Sequence, residues 1–174
     1  MALEDDLKLA ESLLAKMAKA ITRPEENRVD MLIDAADIKA AAKAILRDGH
    51  WGYLSAITAL DQPEYEVDEA TKEKKPLPDK GYVEVLYHFC RGAAVATLRA
   101  RLPYADTSID SICDILSSAT LFEREAAELL GITFRGAPNT DRLVLPENWP
   151  AGVYPLRKSF TGLKEVTPEE GVCS

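Results

Sequence analysis

The sequence predicts an α+β domain, with helices on one face of a mainly antiparallel sheet, followed by an extended irregular C-terminal strap. Apolar residues recur at helical spacing in several segments. Residues 82–90 and 94–102 alternate between apolar and polar side chains, as neighbouring strands do. From about residue 135 this periodicity stops among prolines and glycines. These features place regular structure in the first three quarters of the chain.

Residues 1–22 are predicted to form an amphipathic helix. Within this segment large apolar residues recur at helical spacing among many alanines, namely Leu7, Leu13, Leu14, Met17 and Ile21. The stretch TRPEEN then interrupts the pattern, and the α+β core domain is expected to span residues 23–134.

The core domain begins with a predicted strand, helix and strand. Alternating apolar residues in 29–33 indicate the first strand. Asp34 precedes the apolar stripe of residues 36–47, so we expect Asp34 to cap that helix. The stretch WGYLSAITAL, residues 51–60, has the aromatic and β-branched residues of a second strand.

Residues 62–80 are predicted to form an exposed loop or a partly ordered excursion from the domain. They contain six acidic residues, four lysines and three prolines. Such a composition is typical of a solvated surface, and a partner-binding loop is the sharper alternative.

A β-hairpin and two helices complete the predicted core. The two alternating segments are joined by the turn-like residues 91–93. Ser108 is positioned to cap a short helix, and Thr120 with Glu123 forms a T-x-x-E capping box for the next helix. Gly131 is placed to end that helix.

Composition excludes several classes of function. The net charge of −8 disfavours binding to nucleic acid, and no apolar run is long enough to span a membrane. The chain has three cysteines and two histidines with no CxxC motif, so we expect no metal centre in this chain. Cys90 and Cys113 are expected to be small buried residues, and His50 and His88 to be structural.

The helix LFEREAAELLG carries a dense group of charges. On a helical wheel, Glu123 and Glu125 flank the apolar stripe on opposite sides, while Arg124 and Glu128 lie four residues apart and are expected to pair. The carboxylates therefore do not converge on one point. A solvated helix face, a polar docking surface, and acid/base or metal chemistry remain alternatives, the last being the least favoured.

Residues 135–174 are predicted to form an extended, partner-binding segment. The stretch from Arg135 to Phe160 holds four basic residues and two acids, so it is locally positive. It also carries large apolar side chains without periodicity: Val144, Leu145, Trp149, Tyr154 and Leu156. Such a segment is usually held by a partner. The alternative is a strap that packs on its own domain.

The pattern ERE-x-x-ELLGI-x-F, followed by G-x-P, RLVLPENW and PLRKSF, resembles the signature of the thirty-kilodalton subunit family of NADH-quinone oxidoreductase, which is respiratory complex I. The family includes small subunits of complex-I-like membrane-bound nickel–iron hydrogenases. GHWGYLSAITALDQPE and GYVEVLYHF also resemble the family's strands, in the same order. The resemblance covers roughly residues 28–160 and has many fixed positions.

This resemblance implies a cofactor-free, non-catalytic structural subunit in the peripheral arm of an ion-translocating membrane complex. Its implied partners are the large quinone-site subunit and iron–sulfur subunits that hold the clusters, on the cytoplasmic side of the membrane. The implied interface and motif residues are Glu123, Arg124, Glu125, Glu128, Gly131, Phe134, Gly136, Pro138, Arg142, Leu145, Pro146, Trp149, Pro155, Leu156, Arg157 and Lys158.

The sequence departs from the family pattern at several motif positions. Glu128 replaces an aspartate, Leu130 a phenylalanine, Ala137 a histidine and Ser159 an aspartate, and residues 139–141 replace an Asp-Leu-Arg stretch. These changes leave room for the hydrogenase-type relative. A free-standing small enzyme using Glu123, Glu125 or Glu128, and a generic adaptor with an exposed tail, are the alternatives from other classes.

Overall fold

The computed structural model describes residues 2–69 and 71–163, apart from the side chain of Pro78. The helices and strands follow in chain order: α1 (Leu3–Leu14), β1 (Ala18–Glu25), β2 (Arg28–Ile33), α2 (Ile38–Lys43), β3 (Tyr53–Val67), β4 (Lys74–Arg91), β5 (Ala94–Pro103), β6 (Ser108–Asp110), α3 (Ala119–Leu130) and β7 (Thr133–Arg135). A 3₁₀ turn precedes α2, and a π-helical turn follows it. The predicted α+β class is confirmed. The part of the predicted strap from 164 to 174 lies outside the described residues.

The main sheet has five strands in the order β1-β2-β5-β4-β3. All neighbouring strands are antiparallel except β2 and β5. The predicted hairpin of β4 and β5 is confirmed, with Tyr87 opposite Leu98. In both strands of the hairpin, over 83–89 and 94–102, every second side chain is apolar and packs against the helices, where it is fully buried.

One face of the sheet packs against the helices to form the core. Leu7 and Leu14 of α1 and Ile38 of α2 join the buried residues of β2, β4 and β5. Trp51 is also fully buried, and its indole N–H donates to the backbone oxygen of Asp6 at 2.8 Å. A large aromatic side chain with a satisfied polar atom stabilises the contact between α1 and the sheet.

The helix predicted through residue 22 is wrong beyond Leu14. The Met17 N–H closes a turn on Leu14, and β1 then pairs antiparallel with β2 as an edge strand. Apolar residues an even number of positions apart lie on one face of a strand. Ile21 therefore did not distinguish a continued helix from a strand. Backbone pairing with β2 decides in favour of the strand.

The loop predicted at residues 62–80 is wrong for 62–67 and 74–80, where β3 and β4 continue as a two-stranded ribbon. The predicted exposure of this stretch is largely confirmed among the described residues. Tyr65 pairs with Pro76, and Val67 pairs with Lys74. Gly81 has φ +134° at the bulge where the ribbon meets the sheet, and a Cβ there would lie 2.4 Å from the Gln62 oxygen. Both faces of the ribbon are largely solvated, so its sequence lacks the alternation that marks a half-buried strand.

The three predicted side-chain caps are not formed. Asp34 binds Lys19 instead of capping α2, although the helix predicted over 36–47 is present as α2 with its flanking turns. Ser108 begins β6, which pairs parallel with β7, so the short helix predicted after it is wrong. Thr120 donates to the Ser117 carbonyl, and Glu123 turns into the core. Gly131 ends α3 with φ +71°, as predicted.

Tyr87 provides a test of the core. Its hydroxyl is buried and has no hydrogen-bond partner among the described residues. Burial and the nearby charge of Glu123 raise the pKa of that phenol, so it stays neutral. An unpaired buried hydroxyl costs about 1–3 kcal/mol, so Tyr87→Phe should raise the free energy of unfolding by about 1 kcal/mol. Urea unfolding of the isolated chain measures this change.

Tyr104→Phe is the matched control, because the Tyr104 hydroxyl donates to Asp61 at 2.6 Å. This substitution should lower stability. A loss of stability in Tyr87→Phe as well would show that the Tyr87 hydroxyl has a partner, such as a buried water, and would contradict our interpretation.

Candidate functional site

The motif residues of α3 point in different directions and make different contacts. Glu123 is only 1% exposed. Its carboxylate accepts hydrogen bonds from the Ser111 hydroxyl at 2.7 Å, the Ile112 N–H at 2.8 Å and the Cys113 thiol at 3.2 Å. Glu123 therefore attaches the segment before α3 to the helix, rather than capping it.

Arg124 and Glu128 do not pair with each other, contrary to the prediction. Both bind the backbone of the C-terminal strap. Because Arg135 belongs to β7, the strap in the described part of the chain comprises residues 136–163, and the word is used in this sense from here on. The Arg124 guanidinium donates to the carbonyl oxygens of Asp141 and Arg142 at 2.9 and 2.8 Å. The expected i,i+4 pair is replaced because the strap backbone has polar groups that need partners.

Glu128 accepts three consecutive backbone N–H groups of the strap. The donors are Leu143, Val144 and Leu145, at 3.0, 2.7 and 3.0 Å. Burial by itself would raise the pKa of Glu128. The three N–H groups and the charge of Arg142 outweigh burial, so the pKa of this carboxyl lies below its ordinary value. The strap is thus held by an ionised carboxylate.

Glu125 is exposed, on a different side of α3 from Glu123. In the part of the chain that the structure describes, no group of three or more histidine, cysteine or acidic side chains is arranged to hold a metal ion. Because both oxygens of Glu123 and both oxygens of Glu128 accept hydrogen bonds from this chain, their arrangement suits structural support more than acid/base chemistry.

The strap is also folded on itself. Arg142 donates to the carbonyl oxygens of Pro146 and Trp149 at 2.8 and 2.6 Å. The Trp149 indole donates to Val153, and its ring lies 6.2 Å from that of Phe160. These contacts give an irregular segment a defined course without strand pairing.

Asp61 of β3 is a second attachment point for the strap. It accepts hydrogen bonds from the Arg157 guanidinium at 3.1 Å and the Lys158 N–H at 2.6 Å. Arg157 also donates to the Leu130 carbonyl at the end of α3, and its guanidinium stacks 4.8 Å from the Tyr104 ring centre. Asp61 was not identified from the sequence, although an acid at a core-facing position of a strand was an available signal.

Gly131 and Phe134 show why the motif continues past α3. A Cβ at Gly131 would lie 2.5 Å from the ring of Tyr154 in the strap, and its φ of +71° favours glycine. Phe134 in β7 is buried, and β7 pairs with β6. The strap therefore leaves α3 through a short ordered connection.

The remaining motif residues lie along the strap. Gly136, Pro138 and Leu156 are exposed, as is Lys158, whereas Leu145, Pro155 and Arg157 are partly buried; Pro146 and Trp149 take part in the turn made by Arg142. The structure thus brings the strap residues together with Arg124, Glu128 and Gly131. Glu123 lines the same space between α3 and the strap, although its hydrogen bonds go to the segment before α3, whereas Glu125 lies apart.

A cavity of about 340 Å³ lies between α3 and the strap. Its lining includes Ala127, Ile132, Phe134, Leu145, Trp149 and Tyr154. Beside it, Leu143, Val144 and Leu156 are 43–54% exposed. A largely apolar cavity next to exposed apolar side chains can accept apolar groups of another molecule.

Cys113 packs against Glu123, whereas Cys90 and His88 lie in β4, outside this region. Cys113 is buried, and burial raises the pKa of its thiol, while Cys90 is only partly buried. His88 lies between the hydroxyls of Thr58 and Thr97, and burial lowers the pKa of its imidazole.

Comparison with known proteins gives a consistent match. Residues 31–166 match the family model for the respiratory-chain NADH dehydrogenase 30 kDa subunit. A subunit of the F(420)H(2) dehydrogenase of Methanosarcina mazei is 27% identical over 91% of this chain and 94% of its own length. A subunit of the NADH-quinone oxidoreductase of Geotalea uraniireducens is 27% identical over 85% of this chain and 83% of its own length.

Other matches extend to hydrogenases and sulfur reductases. The membrane-bound hydrogenase subunit beta of Pyrococcus furiosus is 46% identical, over 30% of each chain. A chain of the membrane-bound sulfane sulfur reductase, an archaeal respiratory membrane complex, has a TM-score of 0.62 with 19% identity, over 90% of this chain and 85% of its own. A trypsin-resistant fragment of Nqo5 gives 0.55 with 22% identity, over 80% of this chain and 99% of its own. The two structural likenesses concern the fold.

The attachment of the strap should depend on pH through Glu128. Because its pKa in the folded chain is lowered, its contribution is complete above the ordinary value of 4.5 and is lost as pH falls through the folded value. Hydrogen exchange of amides 143–145, expressed as protection factors, should show weaker protection below about pH 4.5. Glu128→Gln should remove this pH dependence and reduce protection about five- to tenfold at neutral pH.

Glu125→Gln is the control, because Glu125 is exposed and lies on the same helix. It should leave the protection of amides 143–145 and its pH profile unchanged. Equal effects of the two substitutions would mean that general helix destabilisation, and not the three N–H bonds to Glu128, controls the strap.

Proposed function

Because the chain belongs to the family of the respiratory-chain NADH dehydrogenase 30 kDa subunit, we propose that it is a cofactor-free structural subunit of the peripheral arm of a complex-I-type NADH-quinone oxidoreductase. In this proposal it docks on the large quinone-site subunit and on iron–sulfur subunits, on the cytoplasmic side of the membrane. The clusters belong to those partner subunits. No helix among the described residues is long and apolar enough to cross a bilayer.

The observation that carries this proposal is the construction of the strap. Arg124, Glu128 and Asp61 fix its backbone by hydrogen bonds. This arrangement leaves Val144 and Leu156 54% exposed on the outside of the strap. A segment whose backbone is already held by hydrogen bonds has less conformational entropy to lose on binding, so it suits a docking role.

A non-catalytic role is supported by the use of the motif carboxylates. The oxygens of Glu123 and Glu128 are engaged by hydrogen bonds within this chain, so neither is positioned as a free base. Glu125 is exposed on the helix, where a carboxylate keeps its hydration.

The second candidate is the equivalent subunit of a complex-I-like membrane-bound nickel–iron hydrogenase or a related oxidoreductase. It is favoured by the local similarity to the Pyrococcus furiosus hydrogenase subunit and by the extent of the match to the Methanosarcina mazei dehydrogenase subunit. Ala137 also favours it, since the complex I pattern has a histidine at that position. The partners recovered with the chain distinguish the two candidates.

Purification of the tagged chain from its host in mild detergent tests the proposal. We expect iron–sulfur and large subunits in the eluate by mass spectrometry, and iron by metal analysis; nickel would select the hydrogenase candidate. Val144→Glu should release these subunits, because it places a charge on an exposed apolar position while the backbone N–H to Glu128 remains. Lys16→Glu, at an exposed position near α1, is the control and should retain them.

Two outcomes would contradict this proposal. Recovery of the unmodified chain alone, with its own activity or bound metal, would favour the free-standing enzyme. If Val144→Glu retains every partner, the strap is not part of the interface.

Arg157 and Lys158 are neighbours with separable roles. Arg157 is largely enclosed by Asp61, Leu130 and Tyr104, whereas the Lys158 side chain is exposed. Arg157→Glu should lower the free energy of unfolding by about 3 kcal/mol, since it breaks a buried ion pair and leaves Asp61 uncompensated. Lys158→Glu should leave thermal unfolding of the isolated chain unchanged and weaken retention of partners. Equal destabilisation by both substitutions would contradict this separation.

A further inference from the structure

The face of the sheet directed away from the helices carries a layer of arginines over two buried carboxylates. Asp30 and Glu84 are 4% and 1% exposed. Arg28 binds Asp30 at 2.6 Å, Arg99 bridges Asp30 and Glu84, and Arg101 binds Glu84 at 3.2 Å. We call the face defined by these residues the outer face.

The outer face presents positive charge to solvent. The side chain of Arg101 is 52% exposed, and those of Arg28 and Arg99 are 27% and 31% exposed, whereas both carboxylates lie beneath them. Three guanidinium groups thus cover two carboxylates in a chain whose net charge is −8. The position of the charges, and not their total, makes this face electropositive.

Some guanidinium donors on the outer face remain for another molecule. Each arginine has five N–H donors. Within residues 2–69 and 71–163, Arg101 donates only its Nε–H, to Glu84, so its two terminal nitrogens can serve a further acceptor. Arg28 uses Nε and one terminal nitrogen on Asp30. The paired N–H groups of a terminal guanidinium edge match a carboxylate.

Apolar side chains flank these donors. Leu60 of β3 is 44% exposed and lies opposite Glu84 in the sheet. The Arg101 guanidinium is held 5.1 Å from the ring centre of Tyr82, which orients it. An oriented arginine beside an aromatic ring and an exposed leucine has the composition of a protein interface.

We propose that the outer face binds an acidic segment of a partner subunit, with a partner carboxylate on the terminal nitrogens of Arg101 and an apolar partner side chain on Leu60. This inference rests on the proposed function, because it assigns a second docking surface of the same complex. Charge complementarity selects the occupant. A carboxylate matches the positive charge and the paired N–H groups of Arg101, and the overall negative charge of the chain disfavours a polyanion such as nucleic acid.

Two variants of the full chain in the assembled complex test this assignment. Arg101→Gln removes the positive charge without placing a new acid beside Glu84, and should reduce retention of one partner subunit about tenfold. Lys39→Gln is the matched control, since Lys39 is also exposed and also forms one ion pair, with Asp114 on another part of the molecule. A photo-crosslinking amino acid at Leu60 should join the chain to an acidic segment of that same subunit.

The outcomes separate this inference from the proposed function. The outer-face assignment alone is overturned by the following combination. Arg101→Gln retains all partners and Leu60 gives no crosslink, while Val144→Glu still releases subunits. A crosslink to a second copy of this chain, or to a segment without acidic residues, also overturns it. Recovery of the unmodified chain without any partner overturns the proposed function. The isolated Arg101→Gln and Lys39→Gln chains should unfold at the same temperature. If Arg101→Gln proves less stable, a crosslink from Leu60 to an acidic segment still supports the assignment.

Discussion

The strap depends on hydrogen bonds from its backbone to charged side chains of the folded domain. A segment that forms no strand ladder must satisfy its N–H and carbonyl groups in another way. Glu128 accepts three successive N–H groups, and Arg124 binds two carbonyl oxygens just before them. Hydrogen bonds to ionised groups are stronger than neutral ones, so a few side chains hold a long irregular segment.

This constraint explains why a dense group of charges lies on one short helix. Glu123 holds the segment before α3, while Arg124 and Glu128 hold the strap after it. Gly131 then lets the ring of Tyr154 approach the end of the helix. The same dense group of charges therefore organises the chain on both sides of α3. By holding the strap backbone, Arg124 and Glu128 also give the exposed apolar side chains of the strap a fixed position.

The cavity beside the strap is lined in part by a small side chain of the motif segment. Ala137 is one of its lining residues, at a position where the complex I pattern has a histidine. A methyl group fills less space than an imidazole ring and has no polar atom to donate or accept. The accessible lining of the cavity is mostly apolar, which suits contact with an apolar group of a partner.

The main sheet has two faces with different physical roles. The helical side is apolar and forms the core, whereas the outer face combines buried carboxylates with partly exposed arginines. Because Arg99 connects Asp30 on β2 with Glu84 on β4, the charges also join three strands across the sheet. This polar layer lets the outer face remain partly open to solvent without exposing a large apolar area.

The sequence by itself determined the α+β class, the β4–β5 hairpin and the end of α3, because alternation and a left-handed glycine are local signals. It also identified the motif residues, through their resemblance to a family. It did not determine the contacts of Glu123, Glu128 or Asp61, since their partners lie 10 to 97 residues away along the chain. Periodicity carries no information on such distant partners.

The ribbon of β3 and β4 and the strand β1 were missed for related reasons. The ribbon is solvated on both faces and so has no apolar alternation, and the apolar spacing around Ile21 suits a strand as well as a helix. Only the tertiary structure decided these elements and the course of the strap, because each is fixed by backbone groups that find partners in another part of the chain.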